Sequence, residues 1–364
     1  MEDGGPAGAG PDQAVRLADL TTLRLGGRAR SYVEATSEGE LVSIIGAADH
    51  RREPVLVLGG GSNLVVGDGG FDGLVVAVRT RGVDIPAAQQ HPGHATVDVA
   101  AGEPWDGLVE RAVATGWSGL ECLSGIPGLV GASPIQNVGA YGQEVSGVIE
   151  RVRALDRSTG RIRTLTAADC GFGYRSSRFK AEPGRFVVLA VRFTLPVEGA
   201  SAPIRYPELA AALGVGAGAR VPLSDARAAV LSLRSGKGMV LDPADHDTWS
   251  AGSFFTNPVL DATSYGALRA RVTEHLGPAA IPPGYPAADG AVKTSAAWLI
   301  ERAGFVRGYG NERVRLSTKH TLALTNRGSA TTADLLALAA EVQRGVGETF
   351  GVQLSLEPVV VGEV

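Results

Sequence analysis

The sequence predicts an α+β protein of more than one domain, and three observations carry that prediction. The chain has 364 residues, long for one compact core. Strand-like and helix-like periods both occur, and glycine-rich turns separate the early strands. Near Ala200 the texture changes, with Pro203, Pro207 and a Gly/Ala run around Gly214 marking a boundary.

Taken in order, residues 1–14 read as a disordered tail rich in Gly and Pro, without the basic and apolar regions of a signal peptide. Ser37 and Glu40 have capping-box spacing before a helix with Leu41, Ile44, Ile45 and Ala48 on one face. Strands are expected at Val55–Leu58, Leu64–Val66 and Leu74–Val78. Pro104 opens a helix that turns Trp105, Leu108, Val109 and Ala112 inward. A hairpin around Ser158–Gly160 follows, and RFVVLAVRFTL is another strand. Beyond the boundary, Ser224 is placed to cap a helix through Arg234, and TSAAWLIERAG is a further helix. The segment TTADLLALAAEVQRGVGETF is a strong helix with Leu335, Ala339, Val342, Val346 and Phe350 on one face, ended by Gly351. In a last strand, Val352, Leu354 and Leu356 alternate with Gln353, Ser355 and Glu357, so Glu357 points away from the core-facing set.

Composition narrows the function. The net charge is −4 and no Lys/Arg block stands out, so neither nucleic acid nor a membrane surface is an expected partner. Cys122 and Cys170 are the only cysteines, too few for a disulfide framework or a zinc cluster. His91 and His94 lie in a Pro/Gly loop with no third ligand nearby, so no metal is expected. A cytoplasmic location follows from the cysteine usage and the lack of a membrane-length apolar run.

Two uncharged, glycine-rich segments carry the chemistry. GGGSN, Gly59–Asn63, follows a strand but leads into Leu64–Val66 rather than a helix, which disfavours a Rossmann dinucleotide site. Such a turn can still form a nest of N–H groups for an anion, or be a plain tight turn. IPGLVGASPIQNVGAYGQEV has four glycines and no charge until Glu144. Bare backbone in two such segments suits a long, flat ligand with a diphosphate, as FAD is.

GGGSN, IPGLVGASPIQNVGAYG, CGFGYRSSRFK, AGSFFTNP and LSLEPVVVG occur in the order that resembles the type I form of the UDP-N-acetylenolpyruvoylglucosamine reductase family, from about Thr21 to Gly362. The resemblance implies the vanillyl-alcohol-oxidase/PCMH type of FAD-binding fold, with two α/β subdomains and a separate α+β substrate domain. Residues 15–200 would hold FAD, with a subdomain boundary near 80. Residues 201–350 would hold substrate, and 351–364 would return as a strand to the FAD-binding region. FAD, bound noncovalently, would lie on Gly59, Gly60, Gly61, Ser62 and Asn63 and on Ser124, Gly125, Ile126, Gly128, Gln136, Asn137, Gly139, Ala140, Tyr141 and Gly142. The implied reaction reduces UDP-N-acetylglucosamine enolpyruvate with NADPH. Ser253 would donate the proton, while Arg175 and Glu357 stabilise charge on the substrate carboxylate. Lys237, Asn257 and Tyr206 would bind the nucleotide sugar, and a monomer is expected. Each has a plainer reading: a turn serine, a surface salt-bridge arginine, a solvated lysine and a pre-proline asparagine. For Tyr206 a half-buried loop tyrosine is an equal reading, and His320 is open between core and cofactor. A sugar or alcohol oxidase on the same fold, and a flavin-holding sensor, are the competing functions.

Overall fold

A computed structural model of the chain describes residues 15–86 and 92–363, so the tail and His91 lie outside the described residues. Strand β1 (Ala29–Ala35) leads to α1 (Glu38–His50). Glu40 N donates to Ser37 Oγ, and the Glu40 carboxylate accepts from Ser37 N, completing the box that the spacing predicts. Next come β2 (Val55–Leu58), β3 (Leu64–Val66) and β4 (Phe71–Val78). Strands β1 and β2 flank β4 in a parallel three-stranded sheet.

β5 (Val83–Asp84) and β6 (His94–Ala100) precede α2 (Trp105–Ala114), in which Trp105, Leu108, Val109 and Ala112 are all buried. The uncharged segment holds only the short strands β7 (Gly139–Ala140) and β8 (Gln143–Glu144) among turns. β9 (Ile149–Asp156) and β10 (Arg161–Thr166) form the expected hairpin. After α3 (Arg178–Ala181), β11 (Phe186–Pro196) completes an antiparallel sheet of order β10-β9-β11-β6-β5. Its inward side chains, Val97, Val152 and Phe193 among them, share one core with α1 and α2.

α4 (Pro207–Leu213) and α5 (Leu223–Gly236) enclose a smaller core with Cys122 and Ile204. Here the sequence reading needs correction. The N-cap of α5 is Pro222, and Ser224 lies inside the first turn with its hydroxyl on Asp225. Proline's preset φ fixes the entry without a side-chain cap.

β12 (Val259–Leu260), α6 (Ala262–Leu276), β13 (Tyr285–Pro286), β14 (Val292–Lys293) and α7 (Ala296–Arg302) follow, then the hairpin β15 (Val314–Leu316) with β16 (Leu324–Asn326). α8 (Thr332–Phe350) buries the five apolar residues expected of it and ends at Gly351, φ 69°.

The strand expected over Val352–Glu357 is not regular. It carries a single bridge at Leu356, and the true strand is β17 (Val359–Val361), parallel to β3. Glu357 is only 9% exposed, because a charged partner rather than the pleat decides where it points. Among the described residues no helix is long and apolar enough to cross a membrane.

The start of α8 is fastened to the N-terminal half. Thr332 N and Ala333 N donate to the Asp68 carboxylate at 2.8 and 3.1 Å, and Thr332 Oγ1 donates to Val66 O at 2.6 Å. A carboxylate there satisfies free N–H groups and opposes the helix dipole. Asp68→Ala should lower stability by about 1 kcal/mol, seen as a lower urea midpoint with an unchanged slope.

Candidate active site

The two uncharged segments meet. A side chain at Gly60 would place its Cβ 2.7 Å from Gly128 Cα, so the chains cross backbone on backbone. Part of the bareness read as ligand contact is therefore needed for the protein's own packing. Gly59 and Gly60, with Leu129 of the second segment, line a cavity of about 650 Å³ together with Thr22, Arg24, Arg79 and Trp249. Concavity, bare backbone and guanidinium groups suit a phosphate-bearing cofactor.

Several polar side chains of these segments are spent on holding the loops. Ser62 Oγ donates to Pro127 O at 3.1 Å, and Ser124 Oγ to Glu121 O at 2.7 Å. Gly125 N donates to Asp106 Oδ1 at 2.6 Å, and Arg227 of α5 grips the same carboxylate at 2.7 and 2.8 Å. Asn137 is 1% exposed: its amide donates to Glu144 and to Gly173 O, and its oxygen accepts from Ser146 N. The Ser62, Ser124 and Asn137 side chains are thus spent on fixing these loops.

Arg175 sits in a tight turn closed by the Gly173–Ser176 bridge, with φ 51°, a conformation uncommon outside glycine. It is held there because Arg175 Nη2 donates to Gly139 O at 2.9 Å and Lys180 Nζ donates to Arg175 O at 3.0 Å. A Cβ at Gly139 would lie 2.9 Å from both Gln143 O and Glu144 Cγ, so the glycine is required first by the pairing of β7 with β8. Arg175 Nε stands 2.8 Å from Glu357 Oε1 as an ion pair, although its N–H is not aligned for a hydrogen bond. Gln136 Nε2 reaches the same oxygen at 3.5 Å, while Asn63 Nδ2 donates to Gln136 Oε1 at 3.3 Å and to Glu357 O at 3.4 Å. Asn63, Gln136, Arg175 and Glu357 come from four separate stretches. Burial raises the Glu357 pKa above the ordinary carboxyl value, against the opposing charges of Arg175 and Lys180.

Ser253 is half-buried and follows Gly252, φ 74°. The next residue ties it to this group: Glu357 N donates to Phe254 O at 3.0 Å. Phe254 and Phe255, both fully buried, anchor the turn.

A second cluster gathers the expected nucleotide ligands. Lys237 Nζ pairs with Glu208 at 2.6 Å and lies 5.7 Å from the Tyr141 ring centre. Tyr141 and Tyr206 meet edge to face at 5.4 Å. Burial pushes the Tyr141 hydroxyl up to about 12. Asn257 stands apart from this cluster, with its Oδ1 accepting from Ala296 N at the start of α7. His320 joins the lysine's surroundings: burial first, then the charges of Lys237 and Arg307, push it down to about 4. Sequence reasoning missed Asp106 and Glu208. Both are acidic residues in the first turn of a proline-led helix, a readable signal, but their partners Arg227 and Lys237 are distant in sequence.

Residues 29–166 match a family model described as FAD binding domain, and residues 242–361 match one described as UDP-N-acetylenolpyruvoylglucosamine reductase, C-terminal domain. The protein of Streptomyces coelicolor named UDP-N-acetylenolpyruvoylglucosamine reductase is 59% identical over 347 residues, which is 95% of this chain and 89% of that one. Its namesake from Thermobifida fusca is 57% identical over 348 residues, 96% of this chain and 97% of that one. The crystal structure of UDP-N-acetylenolpyruvylglucosamine reductase from Thermus caldophilus matches with a TM-score of 0.65 at 26% identity, covering 96% of this chain and 98% of that one.

The buried imidazole gives a signed pH effect. Unfolded histidine binds its proton near 6.5 and native His320 only near 4, so stability should fall as pH drops between those values. His320→Gln should remove that part of the loss, measured as a smaller difference between thermal midpoints at pH 7 and pH 5.

Proposed function

The chain belongs to the UDP-N-acetylenolpyruvoylglucosamine reductase family, and from that premise we propose its substrate, reductant and residue roles. It is an oxidoreductase of peptidoglycan precursor synthesis, UDP-N-acetylmuramate dehydrogenase, with an α+β, PCMH-type FAD-binding fold. The proposed reaction reduces the enolpyruvyl ether of UDP-N-acetylglucosamine enolpyruvate to a lactyl ether.

FAD, reduced by NADPH, supplies the hydride when bound. In this reading it is held noncovalently by the backbone of residues 59–63 and 124–142. The portion up to about residue 200 serves the cofactor, residues 201–350 serve the nucleotide sugar, and the last fourteen residues bring Glu357 back between them.

Hydride addition to the alkene builds negative charge over the neighbouring carboxylate. Arg175 binds that carboxylate, and a planar guanidinium suits it in shape and charge. Glu357, 2.8 Å from Arg175 Nε, is placed to act with the arginine on that developing charge. Burial raises its pKa above the ordinary carboxyl value, against the pull of Arg175 and Lys180. Ser253 delivers the proton to the other alkene carbon. A free hydroxyl is a poor acid, so its proton loss needs help from a neighbouring group or water. Lys237 and Tyr206 meet the nucleotide diphosphate, and Asn257 supports the same portion through α7.

One observation carries this reading. The Arg175–Glu357 pair, drawn from distant parts of the chain, stands beside Gln136 and Gly139 of the glycine-rich segment.

The test is anaerobic: reduce the protein with NADPH, add UDP-N-acetylglucosamine enolpyruvate and follow flavin absorbance. Prompt return of the oxidised spectrum supports the reading. Flavin that stays reduced until air enters points to an oxidase instead. Ser253→Ala should leave reduction by NADPH nearly intact and slow reoxidation by substrate about 10²–10⁴-fold; equal slowing of both steps removes the proton-donor role. Glu357→Gln, which removes the charge paired with Arg175, should slow reoxidation while leaving reduction by NADPH nearly intact.

A further inference from the structure

We propose that Glu208 is a resident anion in the phosphate subsite, holding Lys237 until the diphosphate of a nucleotide sugar takes its place. This rests on the reading of Lys237 as a phosphate ligand and adds a residue that sets the selectivity of that subsite.

The geometry supports exchange rather than a permanent structural bridge. Glu208 Oε2 accepts from Lys237 Nζ at 2.6 Å, yet the side chains are 40% and 31% exposed, so neither charge is locked in a dry interior. A pair this open contributes little to stability and can be opened at small cost. Its surroundings are more specialised than those of a surface bridge. Tyr141, from the glycine-rich segment, lies 5.7 Å from Lys237 Nζ and carries Tyr206 on its edge. His320 stands near enough for both Lys237 and Glu208 to act on its pKa, and burial keeps it neutral. Lys237 and its Glu208 partner therefore sit beside two phenols able to hydrogen-bond a phosphate.

The two ends of the pair are built differently. Lys237 caps the C-terminus of the fourteen-residue α5, whose base is fixed to α2 by the Arg227–Asp106 pair. Glu208 lies in the first turn of the seven-residue α4, directly after Tyr206 and Pro207. The cation is thus on the longer, anchored element, and the carboxylate is on the shorter one. A carboxylate in that place keeps Lys237 aimed and rejects weakly charged ligands, because only a stronger anion displaces it. A diphosphate does so through more charge and more acceptor oxygens.

The experiment is calorimetric titration of the full-length, flavin-loaded protein with UDP and, separately, with uridine. Glu208→Gln is nearly isosteric and removes only the charge. It should bind UDP about three- to tenfold more tightly and uridine as the wild type does. The gain should vanish when Glu208→Gln is combined with Lys237→Met. Unchanged or weaker UDP binding by Glu208→Gln overturns the proposal, as does a gain that persists without Lys237 or extends equally to uridine. If Lys237→Met alone binds UDP like the wild type, the phosphate role of Lys237 fails and this proposal with it. A loss in Lys237→Met beside an unchanged Glu208→Gln removes this proposal alone.

Discussion

The contact between Arg175 and Glu357 is the constraint on which the rest of the site depends. A nearly buried carboxylate needs a cation, and removing one partner of such a pair typically costs about 3–5 kcal/mol. For Glu357 to reach Arg175 the chain must come back from its far end. Pairing of β17 with β3, the bond from Glu357 N to Phe254 O and the bond from Asn63 Nδ2 to Glu357 O all serve that return. The left-handed backbone at Arg175 is strained for a side chain of that size, and it persists where Gly139 O and Lys180 hold the residue from both ends.

The loops around this pair have few ladder partners, so side chains satisfy their backbone groups. Asp106 accepts from Gly125 N, and Asn137 spans Gly173 and Ser146. Glu121, fully buried, accepts from Gly119 N, Gln143 Nε2 and Ala202 N. It thereby links the glycine-rich segment to Ala202. Irregular backbone is held in one arrangement in this way. The free thiols fit the same picture: burial lifts Cys122 and Cys170 to about 12, leaving them as packing groups.

Local signals were legible where a short stretch sets its own structure. The Ser37/Glu40 box, the α2 and α8 faces, the hairpin at Ser158–Gly160 and the Gly351 stop all lie where spacing puts them. Ser224 misled because a capping residue two places after a proline competes with it, and the proline sets the entry. The period-two pattern holds in burial from Val352 to Ser355, but the segment has only the bridge at Leu356. Alternation is also produced by an extended segment without ladder partners, and Glu357 is buried beside Arg175. Glycine in GGGSN had two causes, and the sequence could not separate close packing on Gly128 from space for a ligand.

By itself the sequence determined the mixed fold class, the element boundaries with local caps or periods, and the ordered motifs that mark the family. Only the tertiary structure decided which polar groups meet: Glu357 with Arg175, Asp106 with Arg227, Glu208 with Lys237. The reason is physical. Caps and periods depend on residues a few positions apart, whereas these pairs depend on how whole elements pack, and no local spacing carries that information.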